Sequence, residues 1–288
     1  MTTTTVRPRT TALAAPGKKN TKTAANLVLI VIGVAFLVPL AWLFLAAVDP
    51  AAGAGTRVPS AISAENFAAV LTVDIALRPL LISAVMSTVS AVVTVLAAVL
   101  ASYPLSRYQM RFSKPFMYTV LFGTCLPVTA IMVPVFSLAV RVNLLDSIWA
   151  TSLFMAATSL PMAIWMTKNF MDSVPISLEE AAWMDGASAM TALRRIVVPL
   201  MRPGLAVVFI YVFMQAWGNF FVPFLLLRSP ENLPAAVTIY QFFGQYGAIH
   251  YGQLAAYSLL YSVPVIVLYV IVARGIGGSF AMSGAVKG

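Results

Sequence analysis

The largest group of charged side chains in this sequence, eight in all, lies between residues 168 and 202, between two long apolar runs. Its centre holds Ser177, Glu179, Glu180, Ala181, Ala182, Trp183, Met184, Asp185, Gly186 and Ala187, followed by Arg194, Arg195, Ile196 and Pro199. Ser177 and Glu180 have the S-x-x-E spacing of a capping box, which predicts a helix beginning near Leu178. Glu179 and Glu180 then fall in its first turn, where the helix dipole favours acids. Gly186 can supply the positive φ that ends such a helix. A second helix is expected from about Met190 to Val197, with Arg194 and Arg195 near its C-terminus and Pro199 and Pro203 breaking it. The chemistry available to this helix–turn–helix is docking. Small side chains let a helix seat deeply, and an acid buried there demands a partner. Trp183 and Met184 offer apolar area either to a partner or to the rest of the chain. Other reactive groups are isolated: a single Cys125 excludes an intrachain disulfide or Cys-based metal site, and one His250 cannot build a metal constellation.

The elements that must position this segment are apolar. The chain has 288 residues, 60% of them hydrophobic and 9% charged, against roughly 25% charged in soluble domains. Mean hydropathy is +0.91, so most of the surface faces something other than water. Six runs are long enough to cross a hydrocarbon core, which takes about 20 helical residues: 26–48, 80–102, 116–140, 147–167, 203–227 and 254–273. With the N-terminus inside, Arg57, Arg78, Arg141 and Arg228 are outside and every other Lys and Arg is inside, whereas the acids divide evenly. The net charge of +9 therefore reads as topology rather than nucleic-acid binding, and both termini are expected in the cytoplasm. Residues 1–25 read as a disordered cytoplasmic tail with no cleavage signal, 26–274 as the transmembrane domain containing the loop 168–202, and 275–288 as a cytoplasmic C-terminal tail.

None of the six runs contains Asp, Glu, Lys, Arg or His, which argues against an ion-coupled secondary transporter. No G-x-x-x-x-G-K-[ST] phosphate loop occurs either, so any pump built on this chain has its motor on another polypeptide. A membrane-embedded enzyme would need clustered acids or histidines at membrane depth, and there are none. Among polar span residues, Ser83, Ser87, Ser90 and Thr94 share one helix face, which commonly means tight helix packing. Gln215 and Asn219 share a face of the fifth run, and Ser258 and Ser262 one of the sixth. An amide in lipid needs a partner, so Gln215 and Asn219, with Ser87 and Ser258, are the candidates for lining a pathway. Pro127, Pro134, Pro161, Pro223 and Pro264 each favour a kink.

The loop resembles the EAA motif of binding-protein-dependent ABC importers: Glu180-Ala181-Ala182, three residues, Gly186, nine residues, Ile196 and Pro199, with Asp185-Gly186-Ala187 as the common D-G-A core. Val198 stands where leucine is usual. Val38-Pro39-Leu40-Ala41-Trp42, Leu126-Pro127, Val133-Pro134, Trp217-Gly218-Asn219-Phe220 and the terminal Lys287-Gly288 are similar to the carbohydrate-uptake branch of that family, and the likeness extends from about residue 26 to the end. The resemblance implies an all-α membrane protein of six transmembrane helices with a cytoplasmic coupling helix-turn-helix between helices 4 and 5, the type I ABC importer fold. It implies a non-catalytic permease subunit in a bacterial inner membrane, passing a mono- or oligosaccharide delivered by an extracytoplasmic solute-binding protein. Its implied partners are a second homologous permease subunit and two cytoplasmic ATPase subunits, which hold ATP and Mg; the permease itself needs no cofactor. Glu180 would make the polar contact to the ATPase, Ala181 and Ala182 would allow close approach, Gly186 would make the bend, and Lys287 and Gly288 would reach between the ATPase subunits. Glycerol phosphate, an amino sugar or a polyol are alternative cargoes on the same scaffold.

Overall fold

The computed structural model describes residues 18–55, 57–125, 127–243 and 249–284. Apart from one bridge between Phe243 and Ile249, the regular structure is helical among the described residues. Helix α1 spans Lys18–Val48, so the stretch expected as a tail is helical from Lys18 onward. A short α2 (Glu65–Val70) and a π-turn (Val73–Leu77) lead into α3 (Arg78–Arg107). Next come α4 (Ser113–Gly123), α5 (Val128–Arg141) and α6 (Ile148–Asp172). Helix α7 (Ser177–Met184) and α8 (Ala189–Leu200) form the charged loop. Then follow α9 (Arg202–Trp217), α10 (Phe221–Leu226), α11 (Ala235–Thr238) and α12 (Tyr251–Gly284).

Among the described residues, four stretches are each long and apolar enough to cross a membrane unaided: Ala25–Val48, Val73–Arg107, Ile148–Asp172 and Tyr251–Arg274. The third and fifth runs, expected as single helices, are interrupted. α4 and α5 meet at 86° around Thr124–Pro127, where Pro127 caps α5 in an extended conformation and cannot continue the helix before it. In the fifth run α9 stops at Trp217 and α10 resumes at Phe221. At about 1.5 Å per residue, α9 alone is too short for a hydrocarbon core of about 30 Å. Pro134, Pro161 and Pro264 lie inside continuous helices, whereas Pro127 stands at the 86° break and Pro223 in the short α10 that resumes after Trp217.

The centre of the bundle is α3, packed along α6 and α9, with α1 against α12 at one flank. A hydroxyl ladder fixes the register of α3 and α6: Ser90 Oγ donates to the Ser152 carbonyl at 2.9 Å, Thr94 Oγ1 to Ala156 at 3.1 Å, and Ser102 Oγ to Ile164 at 3.1 Å. Each pair is offset by 62 residues, so the two helices run parallel. The chain between them must therefore return from one end of the bundle to the other by way of α4 and α5. Ala91, Ala98 and Ala163 are fully buried along this bundle, where small residues let backbones approach and hydroxyls add interhelical bonds. By contrast the apolar side chains of α1 from Leu27 to Leu40 are exposed almost throughout, a surface that water does not tolerate and lipid does.

Candidate functional site

The α7–α8 unit sits across the ends of α3, α6 and α9. Helix α7 begins at Ser177 with Ile176 as its N-cap and no side-chain cap bond, so the capping box read from Ser177 and Glu180 does not form. Leu178 N–H instead donates to Pro175 O, and the Glu179 and Glu180 N–H groups to Ile176 O. The turn after Ser173-Val-Pro supplies these acceptors before a serine cap is needed. The other end matches its expectation closely. Gly186 has φ +86°, Gly186 N–H donates to Trp183 O at 3.0 Å and Ala187 N–H to Ala182 O at 2.9 Å, the paired bonds of a Schellman cap. Ser188 caps α8 by accepting from Thr191 N–H. Pro199 does not break α8. The helix widens into a π-turn at Leu193–Val197 just ahead of it, with Val198 N–H bonding Leu193 O, and the chain turns by 79° only after Leu200.

Adjacent acids have opposite fates here. Glu180 is exposed, together with Ala181, Asp185 and Met184, the last 88% accessible. Glu179 is fully buried. Its Oε1 accepts from Arg107 Nε at 2.6 Å and its Oε2 from the Tyr103 hydroxyl at 2.9 Å. Arg107, its side chain 5% exposed, also donates through Nη2 to the Val174 carbonyl at 3.1 Å. Ser106 and Lys168 both bond Asp172, at 2.6 Å each. The last turn of α3 and the first turn of α7 are thus tied by a buried ion pair, and an exposed cluster at Asp172 ties the last turn of α6 to the same end of α3. Val99, Tyr103, Met171, Val174, Leu193, Val197 and Met201 form the apolar core around the buried pair. Spacing along the chain sets Glu179 beside Glu180 in the first turn and assigns it no role of its own. Successive helical residues point about 100° apart, so two adjacent acids cannot share a face, and this was the available signal that one of them turns inward.

A second feature lies where α4–α5, α6 and α9 meet. A cavity of about 560 Å³ opens between α4–α5, α6 and α9. Thr124, Thr158, Ser159, Tyr211, Gln215 and Asn219 supply its polar wall, and no charged residue lines it among the described residues. Gln215 Nε2 donates to the Tyr211 hydroxyl at 3.3 Å. Asn219 Oδ1 accepts from Val222 N–H at 3.1 Å, capping α10. Both helix interruptions, Gly123–Thr124 and Asn219, touch this cavity; non-helical backbone at membrane depth is tolerated where it lines such a space. The profile of the binding-protein-dependent transport system inner membrane component family matches residues 93–276, a segment containing both the cavity and the α7–α8 unit. The chain belongs to this family. It is 34% identical over 208 residues to the inner membrane ABC transporter permease protein YcjP of Escherichia coli, covering 72% of this chain and 73% of that protein. It is 29% identical over 262 residues to the trehalose transport system permease protein SugB of Mycobacterium tuberculosis, covering 90% and 95%. In fold it is similar to a chain of a bacterial ABC transporter that imports alginate, with TM-score 0.77, 21% identity, and 92% and 99% coverage.

As a permease of this family, the chain keeps its polar positions in two separate places. Gln215 and Asn219 line the cavity. Ser87 does not: it is fully buried on α3, and its hydroxyl has no partner among the described residues. Ser258 is half-buried and donates to the Leu254 carbonyl of its own helix. Ile196 and Pro199 are half-buried on α8, and Ala182 and Ala187 half-buried at the turn. Lys287 and Gly288 lie outside the described residues. A further anchor joins the start of α6 to the segment after α10. Asp146 accepts from Arg228 N–H at 2.8 Å and Ser229 N–H at 3.0 Å, as well as from the Ser229 hydroxyl. Burial raises the pKa of its carboxyl, but these donors outweigh it and hold the value down to about 2.

Proposed function

We propose that this permease subunit crosses the membrane six times with both termini in the cytoplasm, and that it passes a neutral sugar under the power of a separate ATPase. The observation that carries the sugar assignment is the cavity at the two helix breaks, whose wall sets hydroxyls and amides among apolar side chains and holds no charge among the described residues. A neutral polyhydroxylated solute is satisfied by such groups, whereas glycerol phosphate would call for Arg or Lys and an amino sugar for a carboxylate. A polyol fits the same wall and is the second reading. Relatives named for trehalose and maltodextrin transport support the carbohydrate branch. The exposed Glu180–Gly186 face of α7, seated on the ends of three bundle helices, is the surface on which an ATPase would push. Ala181 and Ala182 allow close approach there, Asp185, Gly186 and Ala187 make the turn, and Ile196 and Pro199 hold α8 beneath it. Lys287 and Gly288 would reach between the ATPase subunits. The assembly comprises this chain, a second homologous permease, two ATPase subunits carrying ATP and Mg, and an extracytoplasmic solute-binding protein.

The test is transport by the reconstituted assembly, offered labelled mono- and oligosaccharides, polyols and glycerol phosphate. Sugar uptake should require ATP and survive collapse of ion gradients, and Glu180→Lys should abolish it while the subunit remains inserted. Uptake driven by a proton or sodium gradient without the ATPase, or restricted to glycerol phosphate, would reject the proposal. Wild-type transport by Glu180→Lys would remove Glu180 from the coupling contact.

A further inference from the structure

Two neighbouring hollows lie where α3 ends and α4 begins, away from both the cavity and the exposed face of α7. The first, about 550 Å³, is lined by Tyr108, Arg111, Lys114, Tyr118, Trp165 and Lys168 among its larger side chains, with no acid in its wall. Lys168 is engaged with Asp172 at 2.6 Å. Arg111 and Lys114 have no acidic side chain within ion-pair distance among the described residues. Tyr118 and Trp165 stand with ring centroids 6.4 Å apart. The second hollow, about 410 Å³, is almost wholly apolar, walled by Ala101, Pro104, Leu105, Phe112 and Phe116. The two share Met110 and Ser113, so a cationic, aromatic-rimmed pocket passes directly into a greasy groove.

We infer that this pair of hollows is a binding site for one anionic phospholipid, the phosphate held by Arg111 and Lys114 and an acyl chain laid along Phe112 and Phe116. The physical case is complementarity on both halves of one amphiphile. Unpaired cations flanked by tyrosine and tryptophan are the signature of the level at which lipid headgroups sit, and basic pockets between helices on the cytoplasmic side select anionic headgroups. A free phosphate would satisfy the cations and leave the groove empty. A protein partner would have no need of the continuity between the two. Placing the site in the cytoplasmic leaflet rests on the orientation proposed above; the lipid contact itself does not. The site would brace the α3–α4 corner, directly beside the Arg107 end of the buried ion pair.

The experiment uses the full assembly in nanodiscs of equal phosphatidylglycerol and phosphatidylcholine, stripped with detergent and weighed intact by native mass spectrometry. The wild type should retain phosphatidylglycerol preferentially. Arg111→Gln with Lys114→Gln should lower that preference roughly tenfold or more, as two lost cation contacts near a membrane surface predict. Ala101→Trp, which fills the groove without changing charge, should reduce retention as well. Arg194→Gln with Arg195→Gln, exposed cations of α8, should leave it unchanged. Inorganic phosphate should not displace the lipid. Equal retention of the two lipids by the wild type, an undiminished preference in the Arg111/Lys114 variant, or displacement by phosphate would overturn the proposal. Loss of preference in the Arg194/Arg195 variant would do the same, by showing a diffuse charge effect. An inverted orientation would appear in labelling from the two sides of the membrane and leave this retention intact, so the two failures are separable.

Discussion

Glu179 and Glu180 differ by one position and by everything that matters to a carboxylate. Glu180 meets water, or a partner, while Glu179 is enclosed with Arg107 and the Tyr103 hydroxyl. Removing one member of a buried ion pair leaves the other charge uncompensated, at a cost of about 3–5 kcal/mol. Glu179→Ala should therefore lower the melting temperature of the purified assembly sharply, and Arg107→Ala should do likewise. The double variant should be less destabilised than the sum of the two, because no charge is then stranded. Additive losses would show that the pair does not act as a unit. Gly186 makes a narrower prediction. No atom lies within 4 Å of a Cβ built there, so the cost of substitution is backbone conformation alone at φ +86°. Gly186→Ala should lose about 1 kcal/mol, and Gly186→Asn less, since asparagine tolerates that region. The readout is thermal unfolding; equal stability of all three would mean the turn relaxes.

At the scale of elements, helices are joined by specific polar ties laid over apolar contact. The α3–α6 ladder and the α3–α6–α7 network lock one end and the centre of the bundle, and Asp146 locks the α6 start to the segment after α10. With a folded pKa of about 2 against an ordinary 3.8, Asp146 contributes stability that is complete above its ordinary value. That contribution is lost as pH falls from about 4 toward 2. Wild-type thermal stability should decline across that window, and Asp146→Asn should be less stable at neutral pH with a flatter acid limb. A variant as stable as wild type at pH 7 would refute the tie. The interruptions in the third and fifth runs belong to this scale too. Hydropathy registers 116–140 and 203–227 as unbroken, because it measures solvent preference and is blind to direction. Pro127 was one of five prolines with equal claim to a kink, and only the surroundings selected it. Of Pro199 and Pro203, expected together to break the second loop helix, Pro199 lies within it, since the π-turn before it relieves the clash that a proline imposes on the preceding turn, and the 79° turn falls just ahead of Pro203.

For the whole molecule, the prediction concerns sidedness. With Cys125→Ser as background, Ala54→Cys should react with a membrane-impermeant maleimide on intact cells, and Met184→Cys only after permeabilisation; both sites are exposed. The reverse pattern would invert the orientation. The sequence by itself determined that the chain is a helical membrane protein, which segments are apolar enough to cross, and where the helix–turn–helix with its glycine stop must lie. These are decided by local quantities: transfer free energy summed over about 20 residues, a backbone angle that only glycine adopts freely, and the spacing of one loop. Only the tertiary structure decided which of two neighbouring acids is buried, which proline stands at the 86° break, and that Ser87 is enclosed while Gln215 and Asn219 face a cavity. Those outcomes depend on partners far away in the chain, such as Arg107 for Glu179 and the α6 carbonyls for α3. A polar group in an apolar bundle is satisfied by whatever the fold brings beside it, and spacing along one helix does not reveal what that will be.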